Sequence, residues 1–425
     1  MDFHQSGLVP TLHSLTRQNG RLLEEQLERA VRGRPAGLIL PALYSEFQTP
    51  AMGRILEQLR RVRYLRRMVL MLARATESEY REVQGLFASM PCESTVVWID
   101  GPPVQEFLGG LERHGVWPGV EGKGRSCWLA YGYLLAKGDC EVAVLQDCDI
   151  LTYHRQMLAR LLWPLVVPEH PFEFAKGYYP RYTACLNGRV TRLVLAPLLR
   201  ALEECGVRSG LLDFIGSFRY GLAGEMGLSL ALAREMEFAP DWGLEIHTLA
   251  EVHRRAPAGR TVQVDLADCY DHKHQELSPP DATRGLNRMT REIAAALFRA
   301  LAAEGAPLSR DRLTLTLAQC YRRAAGEWVS RYEADARFNG LVYDRAAEEK
   351  AADVFTSAVA DAAREFCEAP LAGRTLPSWR RVEHAMPGVH LRIASAFEPQ
   401  PFRVYERVAG KVATMGSPML HPRAS

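Results

Sequence analysis

Between residues 37 and 150, short apolar runs alternate with stretches of helical spacing, and this alternation limits the fold more than any other feature of the sequence. GLILPAL (37–43), RMVLMLA (67–73), STVVWID (94–100) and the start of VAVLQDCDILTY (142–153) read as strands. They lack the apolar–polar alternation of a half-exposed strand, which fits strands covered on both faces. MGRILEQLRRVRYL (52–65), SEYREVQGLFASM (78–90), VQEFLGGLERHG (104–115) and KGRSCWLAYGYLLAKG (123–138) read as the helices between them. Strands separated by helices of roughly 10–15 residues predict an α/β fold, a mostly parallel Rossmann-like sheet with helices on both faces. Ligands of such sheets bind beyond the carboxyl ends of the strands.

Further along, helices are expected near 154–166, 190–206, 225–236 and 242–254, and TVQVDLA (261–267) reads as another strand. After Pro279-Pro280 the chain becomes rich in Ala, Leu and Arg, so residues 281–425 are expected to be a mainly helical region following a catalytic domain over 1–280. The formal net charge of +2 provides no field to draw in nucleic acid or an anionic membrane, so neither is expected as a partner. No run of about 18 apolar residues occurs. The start MDFHQSGLVPTLHSL has no basic leader ahead of an apolar stretch, so no signal peptide is expected. Nine cysteines without a C-x-x-C pair fit a reducing cytoplasm.

The strand beginning at Val142 runs into two carboxylates, Asp147 and Asp149, one residue apart. At the mouth of a parallel sheet such a pair can hold Mg²⁺ or Mn²⁺, which prefer oxygen ligands. It can also cap a following helix. Past the 261–267 strand, YDHKH offers His272 and His274, either of which can be a further metal ligand or a base. Two segments can receive anions. GKGRSCW sets Lys123 between glycines at a helix start, and LNGRVTRL follows an Asn-Gly turn with Arg189, Thr191 and Arg192. The run LRRVRYLRR (59–67) reads as a solvated face. Glu245, in DWGLEIHTLAE, either caps a helix or meets a polar ligand such as a sugar.

Taken together, PALYSEF, GKGRSCW, the DCD triplet, LNGRVTRL, WGLE and YDHKH resemble the glucosyl-3-phosphoglycerate synthases, retaining glycosyltransferases of the GT-A fold related to mannosylglycerate-type synthases, over roughly residues 36–275. The resemblance implies transfer of glucose from a nucleotide sugar, typically UDP-glucose, to the 2-hydroxyl of 3-phosphoglycerate with a divalent cation. It implies Asp149, His272 (with His274 as the alternative) and Asp147 at the metal, and Lys123 at the donor phosphates or sugar. Pro41, Leu43 and Glu46 would line the uridine pocket, with Ser45 standing where the family often carries a second acid. Gly188, Arg189, Val190 and Thr191 would hold the acceptor, and Glu245 would meet the transferred sugar. Asp149, Glu245 and Lys123 are thus the expected catalytic group. The helices beyond 280 are expected to pack across the site or to build a homodimer. Transfer of mannose, D-glycerate as acceptor, a nucleotidyltransferase and a non-catalytic nucleotide-sugar binder are the other readings. Against the nucleotidyltransferase, PALYSEFQTP lacks the glycine-rich loop that would receive a triphosphate.

Overall fold

The computed structural model describes residues 5, 7–16, 19–167, 169, 172–272, 277, 281 and 283–398. Eight strands form one sheet: β1 (Thr11–Leu12), β2 (Ala36–Leu43), β3 (Arg67–Ala73), β4 (Glu93–Trp98), β5 (Val142–Leu145), β6 (Phe174–Tyr178), β7 (Met226–Ser229) and β8 (Thr261–Asp265). Their order is β1-β8-β6-β7-β5-β2-β3-β4. Strand β7 is antiparallel to β5 and β6, and the remaining pairings are parallel. Chain direction across the sheet turns around at β2, which lies between β3 and β5. A crevice opens at such a turning point, above the carboxyl ends of the strands.

The apolar runs are buried on both faces because successive side chains alternate. Along β2, Leu38 and Leu40 enter one core and Ile39 the other; along β3, Met68, Leu70 and Leu72 oppose Val69 and Met71. Helices Pro50–Leu59, Glu77–Phe87 and Arg155–Val166 cover the first face. The second is covered by Pro102–Arg113 and Lys123–Lys137, together with helices from beyond residue 283. Local signals set several boundaries. Pro50 and Pro102 stand in first turns, where a missing N–H costs nothing. Thr76 and Glu79 form a reciprocal capping box.

The C-terminal helices are latched to the sheet layer. The indoles of Trp128 and Trp379 stack with centroids 4.6 Å apart. Trp128 donates to the carbonyl of Pro377 and Trp379 to the carbonyl of Trp128, each at 2.8 Å. Buried aromatic pairs with satisfied N–H groups rank among the stronger packing units. The core on this face runs without interruption from Ile39 to Phe397. Pro279 and Pro280 lie outside the described residues.

Two expectations need correction. Residues 225–236 are not one helix: Met226–Ser229 is strand β7, and the helix occupies Leu230–Glu235. A short apolar run has no period that separates strand from helix, and here the gap between β5 and β6 decides. Strand β6, FAKGY, went unseen because of Lys176, whose side chain is buried with its ammonium donating to the Ala223 carbonyl at 2.6 Å. The expected helix at 190–206 opens with a π turn, Thr191–Leu195, before the α-helix Ala196–Glu204. No helix among the described residues is long and apolar enough to cross a membrane.

Candidate active site

Beyond β5 burial alternates, so Asp147 and Asp149 are partly exposed while Cys148 between them is buried. Asp147 Oδ1 lies 2.6 Å from Lys123 Nζ, which also lies 3.4 Å from Glu245 Oε1. Burial alone would push the Lys123 ammonium toward neutrality. The charges of Asp147 and Glu245 outweigh it and hold the pKa well above that of an ordinary lysine. Asp149 Oδ2 lies 3.5 Å from His272 Nδ1. Burial disfavours the Asp149 carboxylate, but the hydrogen bond and charge of His272, with the charge of Lys123, keep its pKa below the usual range.

His272 reaches Asp149 because the segment after β8 is sewn to the segment after β5. Ile150 and His272 form an isolated bridge, Leu151 N donates to Asp271 O at 2.8 Å, and Asp271 N donates to Thr152 Oγ1 at 3.1 Å. His274 lies outside the described residues.

Glu225 was missed in the sequence. It is fully buried, accepts from Tyr270 OH at 2.6 Å and from Tyr179 OH, and lies 3.5 Å from the Asp147 amide. The two phenol rings stack 3.7 Å apart. Burial, and next the charge of Asp147, raise the pKa of Glu225. The placement follows from topology: β7 is antiparallel, with Met226 opposite Leu145, so the residues preceding β7 arrive at the carboxyl rim of β5. Gly224 is required there, since a Cβ would stand 2.3 Å from Asp147 Oδ2 and 2.6 Å from Lys123 Nζ. Once 225–236 is read as a helix this signal is lost.

A cleft of about 350 Å³ joins these groups to the Asn-Gly turn. Lys123, Asp147, Glu245 and His272 line it together with Gly188, Arg189, Val190 and Thr191. Gly188 has φ +72°, a left-handed conformation that favours glycine. The turn is held from behind by distant residues. Glu348, on the helix Arg345–Glu368, accepts from Arg189 Nε at 2.8 Å and lies 3.0 Å from Arg192 Nη1. Arg192 also donates to the carbonyls of Asn187 and Leu186, at 2.9 and 3.3 Å. Val342 N donates to Ala184 O at 2.9 Å. Leu286, Met289 and Ile293, on the helix Gly285–Ala303, complete the wall.

Pro41, Leu43 and Glu46 do not line this cleft. They lie at the carboxyl end of β2, beside β5, where Ile39 registers with Leu145. The negative charge of Glu46 reaches Cys148. The glycines flanking Lys123 serve packing: a Cβ on Gly124 would stand 2.0 Å from the Ala239 carbonyl. Among the described residues, no three His, Cys, Asp or Glu side chains form a ready-made metal cluster. Asp149 with His272 is nevertheless a fitting partial set, because Mg²⁺ and Mn²⁺ commonly take one or two protein carboxylates and complete their shell with water and substrate phosphates.

A largely parallel sheet with an acid pair at the rim of β5, a lysine on Asp147 and a glycine turn lining the same cleft fits a GT-A glycosyltransferase. In line with this, the crystal structure of glucosyl-3-phosphoglycerate synthase from Mycobacterium tuberculosis in complex with Mn²⁺, UDP and glucosyl-3-phosphoglycerate matches with a TM-score of 0.51 at 23% identity, over 69% of this chain and 88% of that one. No family model matches the chain. Glucosyl-3-phosphoglycerate synthase of Persephonella marina is 41% identical over 397 residues, 93% of this chain and 98% of that protein. The Methanococcoides burtonii protein of the same name is 33% identical over 404 residues, 93% and 97% of the two chains. The chain belongs to the glucosyl-3-phosphoglycerate synthase family.

Proposed function

We propose that the protein transfers glucose, with retention at the anomeric carbon, from UDP-glucose to the 2-hydroxyl of 3-phosphoglycerate, aided by Mg²⁺ or Mn²⁺. One observation carries the reading: the Lys123–Asp147 pair and the Gly188–Thr191 turn line a single cleft. Asp149 and His272, with Asp147 beside them, would hold the cation. When bound, the ion neutralises charge building on the departing diphosphate. Lys123 adds a fixed positive charge at the same place. The 188–191 turn orients the acceptor so that its hydroxyl approaches the anomeric carbon, and the leaving phosphate oxygen takes the hydroxyl proton in a same-face attack. Glu245 is committed to Lys123 and supports the position of that charge, which fits same-face attack better than a covalent glycosyl-enzyme. Pro41, Leu43 and Glu46, beside the β5 rim, are assigned to the uridine end of the donor. The unpaired thiols of Cys127, Cys140 and Cys148 support a cytoplasmic setting. The largely exposed Phe338 and Leu371 offer apolar surface for a homodimer.

The test is UDP release from a matrix of donors and acceptors, with Mg²⁺, Mn²⁺ or chelator. The expected result is turnover that needs UDP-glucose and a divalent ion and is fastest with 3-phosphoglycerate, with D-glycerate the poorer acceptor. Preference for a mannose donor or for D-glycerate would change the substrate assignment. Diphosphate-dependent cleavage of the nucleotide sugar to UTP and glucose 1-phosphate would point to a nucleotidyltransferase, and donor binding without turnover to a binding module.

A further inference from the structure

We infer that Arg181 is the specificity-determining anion receptor of the acceptor subsite, the guanidinium that meets the acceptor phosphate. This rests on the acceptor reading given above. Both arginines of the 188–192 turn are already engaged. Arg192 is buried, faces Glu348 and donates to two main-chain carbonyls, and Arg189 Nε is bonded to Glu348. Arg181 lines the same cleft and is not matched in this way. Its Nη1 donates to the Tyr220 hydroxyl at 3.2 Å, and its Nε is buried with no hydrogen-bond partner among the described residues. The largest charge influences on it come from the phenols of Tyr220, Tyr179 and Tyr270, and no described carboxylate lies within ion-pair distance of it. A partly buried guanidinium with no counter-charge among the described residues is costly, and an anionic ligand removes that cost.

The side chain is also aimed by its neighbours. A Cβ built on Gly188 would lie 3.6 Å from Arg181 Cδ and 3.7 Å from both Arg181 Nη1 and Tyr220 OH, so the arginine runs directly beside the glycine turn. An acceptor seated on that turn would therefore meet the guanidinium of Arg181. A guanidinium fork suits a phosphate better than a hydroxyl, so Arg181 should favour phosphoglycerate over glycerate.

The experiment compares wild type, Arg181→Gln and Arg181→Lys with UDP-glucose and either 3-phosphoglycerate or D-glycerate. For Arg181→Gln, the KM for 3-phosphoglycerate should rise roughly 10- to 100-fold, the range expected for loss of a hydrogen bond to a charged group. The KM for UDP-glucose should stay within about twofold, and the preference for phosphoglycerate over glycerate should shrink by the same factor as the KM rises. Arg181→Lys, which keeps the charge and loses the fork, should recover part of the preference and serves where the Gln variant does not fold. An unchanged acceptor preference in both variants, or equal losses of kcat with both acceptors, would overturn the assignment while leaving the enzyme's function intact. Wild type that releases no UDP with any acceptor would instead remove the function on which the assignment stands.

Discussion

On the sheet side of the cleft, Asp147 and Asp149 follow β5 directly and Lys123 opens a helix, so each is set by the element it adjoins. The helical side is assembled differently: the 188–192 turn takes its shape from Glu348, 159 residues away from Arg189, and from Val342 against Ala184. The first construction places charge rigidly at one point above a close-packed sheet. The second balances two guanidiniums on one carboxylate. Damage to the sheet side should therefore appear in turnover, and damage to the helical side in acceptor affinity and in stability together.

The largest effect is expected from Asp149→Ala. Removing the carboxylate proposed to hold the cation should lower kcat by roughly 10³-fold, by analogy with loss of a preorganised stabilising group, and should flatten the dependence of rate on Mn²⁺ concentration. Near-normal turnover of Asp149→Ala in the presence of chelator would break the assignment of this side to the diphosphate. Gly224→Ala comes next. The added methyl would fall on Asp147 Oδ2 and Lys123 Nζ, so one of them must move. Overpacking costs about 1–3 kcal/mol, and a similar loss of transition-state stabilisation lowers kcat roughly 10- to 100-fold. The acceptor KM should hardly change. A matched fall in acceptor affinity would show that the two sides of the cleft are not separable.

The same contrast explains what could be read in the sequence. Strand β3 was legible over its full length, Arg67–Ala73, because buried parallel strands are written locally as apolar runs. Asp147, Asp149 and Lys123 were legible as a charged group at a rim for the same reason. Glu225 was not, because its position depends on an antiparallel strand too short to show a period. Glu348 and Arg181 were not, because their partners come from contacts across the fold. Nothing in AAEEKAA marks the acid that will face two arginines. The resemblance over 36–275 pointed to the site but not to the helices that build its far wall, where Leu286, Met289 and Ile293 stand.

Glu348→Gln tests the helical side by itself. Arg192, with 8% of its side chain exposed, would lose its counter-charge, and breaking a buried pair in this way costs about 3 kcal/mol. The share from Arg189 is smaller, because that side chain is 39% exposed and screened by water. A lower urea midpoint is expected, together with an acceptor KM raised by about tenfold through displacement of the turn. The KM for UDP-glucose should not follow.

The smallest expected effect, and the one that divides the helical side most finely, comes from Arg189→Ala alone and in combination with Glu348→Gln. If Arg189 shapes the turn through Glu348, the single change should raise the acceptor KM only a few-fold. Combining it with Glu348→Gln should then add little, giving a coupling of about 1 kcal/mol between the two sites, as for residues sharing one network. If Arg189 instead grips the acceptor independently of Glu348, the two effects should multiply and the coupling should vanish. Additivity would thus return to Arg189 the role that its bond to Glu348 and the unpaired Nε of Arg181 assign to the neighbouring guanidinium.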